Sequence, residues 1–522
     1  MKKTMNQNKN RISALLTATL ISLSSSSLYA QTSDFFGLPL PGPATLQTID
    51  FTNVDFRPLP ALQTERPGSD SETLHAHIQA LVDIALASRE RNPQRWGNFS
   101  GFPEEEIVLD YIKDNLEAAG VEDITIETFD QAPWSLVTRW SAQLNGINGE
   151  SIELQSAVPM GVGNSESVAP VTAPLVYVGR GLAADLAGRD ITGKIAVIRG
   201  EEAPHFYDFS SREAMGRLSA AGAVGVIRLW DSPGNMQLQL GDCPEISCFN
   251  LGGEDSAFLE AVLVEAANAG KLNELTMSLQ MTVEREVRQA RNLIGKISGS
   301  SGSNENIIIL GHTDTWFSGA DDNASGLSVL MGLAEYYGAR QPMHDIYFVA
   351  SPGHHHGAGG SQFLVDNYPE LIANNMLSLN LEHVASTGMA RIDANLMDRV
   401  RDNYGNLIAE LSPTNADSLW HGVQMSMATP FLVDAWRQAS ESNLYLQPAN
   451  AWEASRFMPG ESTSLSVAGV PVVQNVETNH WYHSSGSMPE TISQESLQRA
   501  FLLYSDFVDL VDKASKAEVE AR

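Results

Sequence analysis

The first clear periodicity along the chain begins at Ser71. Leu74, Ile78, Leu81, Val82 and Leu86 recur at helical spacing, which predicts a helix with one apolar stripe. Ile107, Val108, Ile112 and Leu116 repeat the pattern ahead of Gly120, a residue type that ends helices. The period then drops to two in Ile124-Thr125-Ile126-Glu127-Thr128-Phe129, the signature of a strand. From about residue 166 short apolar runs bounded by glycine take over. Leu175-Val176-Tyr177-Val178, Lys194-Ile195-Ala196-Val197-Ile198-Arg199 and Val224-Gly225-Val226-Ile227-Arg228-Leu229 read as strands, with a helix from Arg212 to Ala221 among them. Beyond about residue 288 the runs Asn292 to Ile297, Ile307 to Leu310, Ile346 to Ala350 and Leu377 to Leu381 alternate with helical patterns through Leu327, Leu330, Met331, Ala334 and Tyr337 and after Ser361. Strands without polar alternation are covered on both faces, so this part is predicted to be α/β, a mostly parallel central sheet with helices on both faces.

The N-terminal residues read differently. Lys2, Lys3, Lys9 and Arg11 precede an apolar stretch from Ile12 to Leu23, and Leu28-Tyr29-Ala30 closes a serine-rich segment. Residues 1–30 therefore read as a secretory signal, which places the protein in the periplasm or outside the cell. The apolar core is shorter than the about 20 residues a transmembrane span needs, and no later stretch qualifies. Residues 31–70, with Pro39, Pro41, Pro43, Pro58, Pro60 and Pro67, read as an extended arm or linker. The charge supports export: 63 Asp+Glu against 33 Lys+Arg give a net charge of −30, and so acidic a surface repels nucleic acid. Cys243 and Cys248 are the only cysteines, and in an exported chain so close a pair predicts a local disulfide rather than a redox or metal pair.

The chemistry gathers at strand ends, where ligands sit in open α/β sheets. His312 and Asp314 follow one predicted strand, His354-His355-His356 a second, and Glu382-His383 a third, while Asp321-Asp322-Asn323 precede a helix. Imidazole and carboxylate converging on one rim are zinc donors, and a carboxylate can bridge two ions. In His-x-Asp the second residue can hold the ring's other nitrogen.

Gly311-His312-Thr313-Asp314, Gly319-Ala320-Asp321-Asp322-Asn323-Ala324-Ser325-Gly326, Gly357-x-x-Gly360-Ser361 and Trp481-Tyr482-His483 together resemble the co-catalytic zinc aminopeptidases, a family that includes glutamate carboxypeptidase and glutaminyl cyclase relatives. The segment from 166 to 287 resembles a protease-associated domain, a β-rich non-catalytic insertion. The organisation implied is a discontinuous zinc-exopeptidase-type domain over 71–165 and 288–515 with this insertion between. The resemblance implies that His312 binds one metal with Asp314 orienting it, that Asp322 bridges, and that Glu382 and His483 are further ligands. It also implies a peptide or small amide as substrate, and zinc, one ion or two, with other divalent metals as substitutes.

One departure stands out. The family's adjacent glutamates, a general base and a metal ligand, fall on His354 and His355, with His356 taking part if the register shifts by one. Losing a ligating carboxylate weakens the hold on a second ion, while His354 can still accept a proton, an ordinary imidazole titrating near pH 6.5. Three readings follow: an amide hydrolase of the aminopeptidase type, a non-hydrolytic binder of peptide or metal, and an enzyme acting on a non-peptide amide or ester, or a cyclase. Trp481, Tyr482 and Arg456 are candidate substrate contacts. Trp420, His421, Trp436 and Trp452 line either a pocket wall or the core.

Overall fold

The computed structural model describes residues 66–522 apart from 162–168, 201–208, 233, 242, 244–245, 387–398, 402–406, 411–422, 444–451, 454–457 and 477–480. The signal-like residues 1–30, nearly all of the proline-rich segment, and Trp420, His421 and Arg456 lie outside the described residues. Helices α1 (Ser71–Arg91) and α2 (Pro103–Ala118) form where the apolar spacing predicts them. Asp70 caps α1 by accepting the Thr73 amide, and Pro103 opens α2, a position where its missing amide proton costs nothing.

The central sheet is built from β1 (Glu122–Gln131), β2 (Arg288–Ile297), β3 (Asn306–His312), β4 (Asp345–Ser351), β5 (Asn375–Glu382) and β6 (Val472–Val476). Their spatial order is β6, β5, β3, β4, β2, β1, with the short strands Gln424–Met425 and Trp452–Glu453 beyond β6. β4, β3, β5 and β6 run parallel, whereas β2 is antiparallel to both β4 and β1. The sheet is thus mixed, with a parallel centre. β3 and β5 are buried along their whole length, which is why their sequences carry no polar alternation.

Side-chain alternation divides the core between the faces. Ile307 and Ile309 join α1, α3 (Gly326–Ala339) and α6 (Gln494–Asp512) on one side. Ile308 and Leu310 meet Leu364 of α4 (Gly359–Asn367), Met458 and Leu465 on the other. Trp436 lies in α5 (Pro430–Asn443), fully buried against Phe507 with ring centroids 5.3 Å apart. It is a core residue and forms no pocket wall.

Between β1 and β2 the chain builds a second eight-stranded sheet with its own core. Its middle strands Val171–Tyr177, Ile195–Arg199, Gly225–Leu229 and Ser247–Leu251 are parallel, and helices Phe209–Ala220 and Gly253–Asn268 accompany them. Leu136–Ile147, Glu150–Glu153 and Val158–Pro159 belong to this sheet too, so the insertion starts some way ahead of residue 166. Leu136–Ile147 carries Thr138, Arg139, Ser141, Gln143 and Asn145, and its mixed burial leaves no apolar run to announce it. Cys243 and Cys248 are joined by a disulfide packed in the insert's interior.

Candidate metal centre

The parallel strands deliver their C-terminal ends to one rim, and the predicted donors meet there. β3 ends in His312, β5 ends in Glu382, and the turn after β4 carries His354, His355 and His356. The loop Ala320–Ser325 brings Asp322 in from before α3. That loop is fastened from all sides. Asn323 Nδ2 donates to Leu381 O at 2.9 Å, Ser325 Oγ donates to Asp321 O at 2.7 Å, the Asp321 amide donates to Ser487 Oγ at 3.0 Å, and Thr315 Oγ1 donates to Asp322 O at 2.5 Å. Gly326 is required where α3 starts, because a Cβ there would stand 2.4 Å from Leu381 O.

Asp322, 2% exposed, is the hub. Its Oδ1 lies 2.8 Å from His312 Nε2 and 3.2 Å from His383 Nε2, and its Oδ2 lies 2.9 Å from His483 Nε2 and 3.5 Å from His355 Nε2. Glu382 Oε1 is 3.5 Å from His354 Nε2, and Glu461 Oε2 is 2.8 Å from His354 Nδ1. Three donor groups result, each compact enough for one ion: His312, Asp322 and His354; Asp322, His355 and His483; and His354, Glu382 and Glu461.

Asp314 acts otherwise than expected. Its carboxylate stays 4.0 Å from His312 Nδ1, which donates instead to the Asp314 backbone carbonyl at 2.9 Å. The Asp314 carboxylate accepts the amides of His354 and His355 at 2.9 and 3.1 Å. It shapes the histidine turn and leaves the imidazole to the main chain. His356 stacks on Trp134, away from the donor groups. Tyr482 is buried, stacked on His483 at 3.7 Å and packed with Trp230, Leu238 and Leu240 of the insert, so it supports a ligand from behind. Trp481 packs over Gly486 next to Met236. Glu461 and His383 complete the site without having been assigned to it. Their signals were slight: Glu461 is a single acid beside a glycine, and His383 only the neighbour of Glu382.

The electrostatics fit a bound cation. His312 Nε2, His355 Nε2, His483 Nε2, both Asp322 oxygens and Glu382 Oε1 are buried without a hydrogen-bond partner. His312 and His483 give their Nδ1 protons to the carbonyls of Asp314 and Gln239; in the His483 ring this leaves the Nε2 lone pair facing the carboxylate, whereas in His312 burial and His354 press downward but Asp322 and Glu461 outweigh them and push the ring up. Lone pairs at such distances need positive charge between them. Burial pushes His355 well down and His483 down, so both are neutral donors. Burial opposes ionisation of Asp322 as well, yet the charge on neighbouring imidazoles, His383 and His312 among them, holds it well below the usual carboxylate range. His354 goes the other way: burial would lower it, but Glu461 and Glu382 hold it well above an ordinary imidazole. The mixed nitrogen and oxygen donor set suits zinc.

Fold and site together describe a candidate metal centre at the strand ends of an α/β sheet, and comparison with known proteins finds likenesses among metallopeptidases. Residues 292–508 match the model of peptidase family M28. The chain is 25% identical over 338 residues to aminopeptidase YwaD of Bacillus subtilis, covering 63% of this chain and 65% of that protein. It is 24% identical over 235 residues to a probable zinc metalloprotease of Pyrenophora teres, covering 42% of this chain and 47% of the relative. The matches thus span less than two thirds of these relatives' lengths. Among solved structures, a zinc aminopeptidase from Bacillus subtilis aligns over 85% of this chain and 95% of its own with TM-score 0.57 and 19% identity. An M28 peptidase precursor from Shewanella amazonensis aligns over 86% and 97% with TM-score 0.57 and 16% identity. These two likenesses establish the fold.

Proposed function

We propose that the protein is an exported zinc-dependent peptidase of the aminopeptidase type, cutting an amide bond in a peptide or peptide-like substrate. The observation that carries this reading is the buried Asp322 carboxylate with imidazole Nε2 atoms on both of its oxygens. Support comes from the M28 match over 292–508, from relatives named as an aminopeptidase and a zinc metalloprotease, and from the signal-like N-terminus.

His312, Asp322, His355, His483 and Glu382 would hold the metal. When bound there, zinc polarises a scissile carbonyl and makes water a better nucleophile. The chain's own contribution is proton handling. Glu461 anchors His354 through Nδ1 at 2.8 Å, which commits Nε2 to face the centre. A proton taken up at Nε2 is compensated by Glu461 and Glu382, the arrangement by which a carboxylate supports a histidine base. His354 with Glu461 thus occupies the place of the family's glutamate base, and because the two carboxylates hold it well above an ordinary imidazole it is the proton-bearing group of the site, suited to pass a proton on and take one back.

A second reading, a centre that binds metal without turnover, is favoured by one contact: the His354 ring stacks on His312 with centroids 3.9 Å apart, where it competes for the donors His312 and Glu382. Metal analysis of protein prepared without chelator, together with an aminoacyl-arylamide panel, separates the two. Metal with turnover is the expected result, and metal without turnover on any amide sinks the hydrolase reading.

A further inference from the structure

The seam between the two sheets contains a segment that the peptidase reading leaves unused. Gln237, Leu238 and Gln239 of the insert run antiparallel to His483, Ser484 and Ser485. The Gln239 amide donates to His483 O at 2.9 Å, the Ser485 amide to Gln237 O at 2.9 Å, and the Gln237 amide to Ser485 Oγ at 3.0 Å, with Leu238 opposite Ser484. The carbonyls alternate as in a strand. Leu238 O and Leu240 O turn back into the insert, where Asn250 Nδ2 donates to them at 3.1 and 2.9 Å and the fully buried Arg228 donates to Leu240 O at 2.6 Å. Gln239 O turns the other way and accepts the Nδ1 proton of His483 at 3.1 Å.

The segment is held firmly. Leu238 and Leu240 pack with Trp230, Val476 and Tyr482, and Trp96 Nε1 donates to Gln237 Oε1 at 2.8 Å. Just downstream, Gly241 O accepts the Gly161 amide at 2.9 Å, and the Cys243–Cys248 disulfide ties the following loop to the strand Ser247–Leu251. Among the described residues, the group opposite His483 Nδ1 is therefore a main-chain carbonyl of the insert. A carbonyl has no proton to give, so it fixes the ring as the Nδ1–H tautomer and turns the Nε2 lone pair toward Asp322.

We propose that the insert is a positioning element of the metal centre: through the Gln239 carbonyl it orients His483 and so sets the affinity for the ion held by Asp322, His355 and His483. This rests on the metal-centre reading above. Outer partners of metal-bound histidines are worth about 10–100-fold in affinity, and here that partner comes from a different structural unit than the ligand it serves.

The test is a titration of the metal-free full chain with Co²⁺ against a competing chelator, reading affinity for each equivalent and the visible absorption of the bound ion. Gln239→Pro deletes the amide that pairs with His483 O and displaces the segment. It is expected to weaken one equivalent about 10–100-fold and shift its absorption band, with any other equivalent unchanged. Ser485→Ala loosens the same ladder from the opposite side, with a smaller loss in the same equivalent. Gln239→Ala retains both backbone groups and is expected to restore the affinity that proline removes, a pattern that general destabilisation would not give. Unchanged affinity for every equivalent in Gln239→Pro overturns the proposal, and if that variant fails to fold, unchanged affinity in Ser485→Ala does so. An unmodified chain that takes up no Co²⁺ overturns the metal centre itself, a result distinct from a centre that is intact and indifferent to the insert.

Discussion

Asp322 divides its oxygens between different imidazoles, Oδ1 toward His312 and His383, Oδ2 toward His355 and His483, so one substitution reaches both halves of the centre. Asp322→Asn keeps the shape and removes the charge. Its loss of metal affinity should exceed the about 10–100-fold typical of an outer partner, read by metal analysis after dialysis, and activity should fall with it. Glu105 offers a pH test away from the ligands. It is fully buried, with its carboxyl pushed up to about 8 by desolvation, although the Gly101 and Arg291 amides oppose the rise. The folded protein keeps a proton there that the unfolded chain releases near its ordinary value of 4.5, so stability should fall as pH rises through the window between those values and level off above it. Glu105→Gln should flatten that slope in denaturant unfolding followed across the window. At this scale the sequence was readable where a residue type has one main use. His312, Asp322 and His483 stand out on chemistry and motif, whereas the preference of His312 for the Asp314 carbonyl over its carboxylate depends on a few ångströms of backbone path.

The elements that carry the donors were largely legible, and for a physical reason. β3 and β5 are buried on both faces and so must be apolar throughout, and α3 follows a glycine-bounded loop. Leu136–Ile147 escaped because a half-covered strand needs only scattered apolar positions. α5 and α6 pack on each other through Trp436, Tyr504 and Phe507, in agreement with the core role that aromatics in this stretch favour over a pocket wall. The loop Ala320–Ser325 is the element on which the centre depends. Asn323→Ala would leave Leu381 O, buried at the end of β5, without its side-chain donor and is expected to cost about 1–3 kcal/mol of stability. Gly326→Ala places a Cβ 2.4 Å from Leu381 O and 2.3 Å from Asn323 Oδ1, and overpacking of this kind costs about 1–3 kcal/mol. Thermal unfolding of the metal-free variants measures both, free of any change in metal occupancy.

For the whole molecule, metal and fold are linked. An ion that binds only the folded chain adds about 2.7 kcal/mol at a hundredfold excess over its dissociation constant. Chelation should therefore lower the unfolding temperature, and zinc added back should restore it; a melting curve indifferent to both would argue against occupancy of the site. Domain-level organisation was only partly visible from sequence, because the insert's first strands resemble host strands in composition and differ only in which partner they pair with. Its points of attachment have a simple consequence. Gln131 at the end of β1 and Arg288 at the start of β2 are direct cross-strand neighbours, so from the viewpoint of the host the whole module replaces a hairpin turn. A graft at such a point leaves host register untouched, and ends already held side by side keep its entropic cost low. Architecture of this kind lets a module be acquired or discarded in one step, and the host is bound to keep it only once one of its own histidines comes to lean on the guest's main chain.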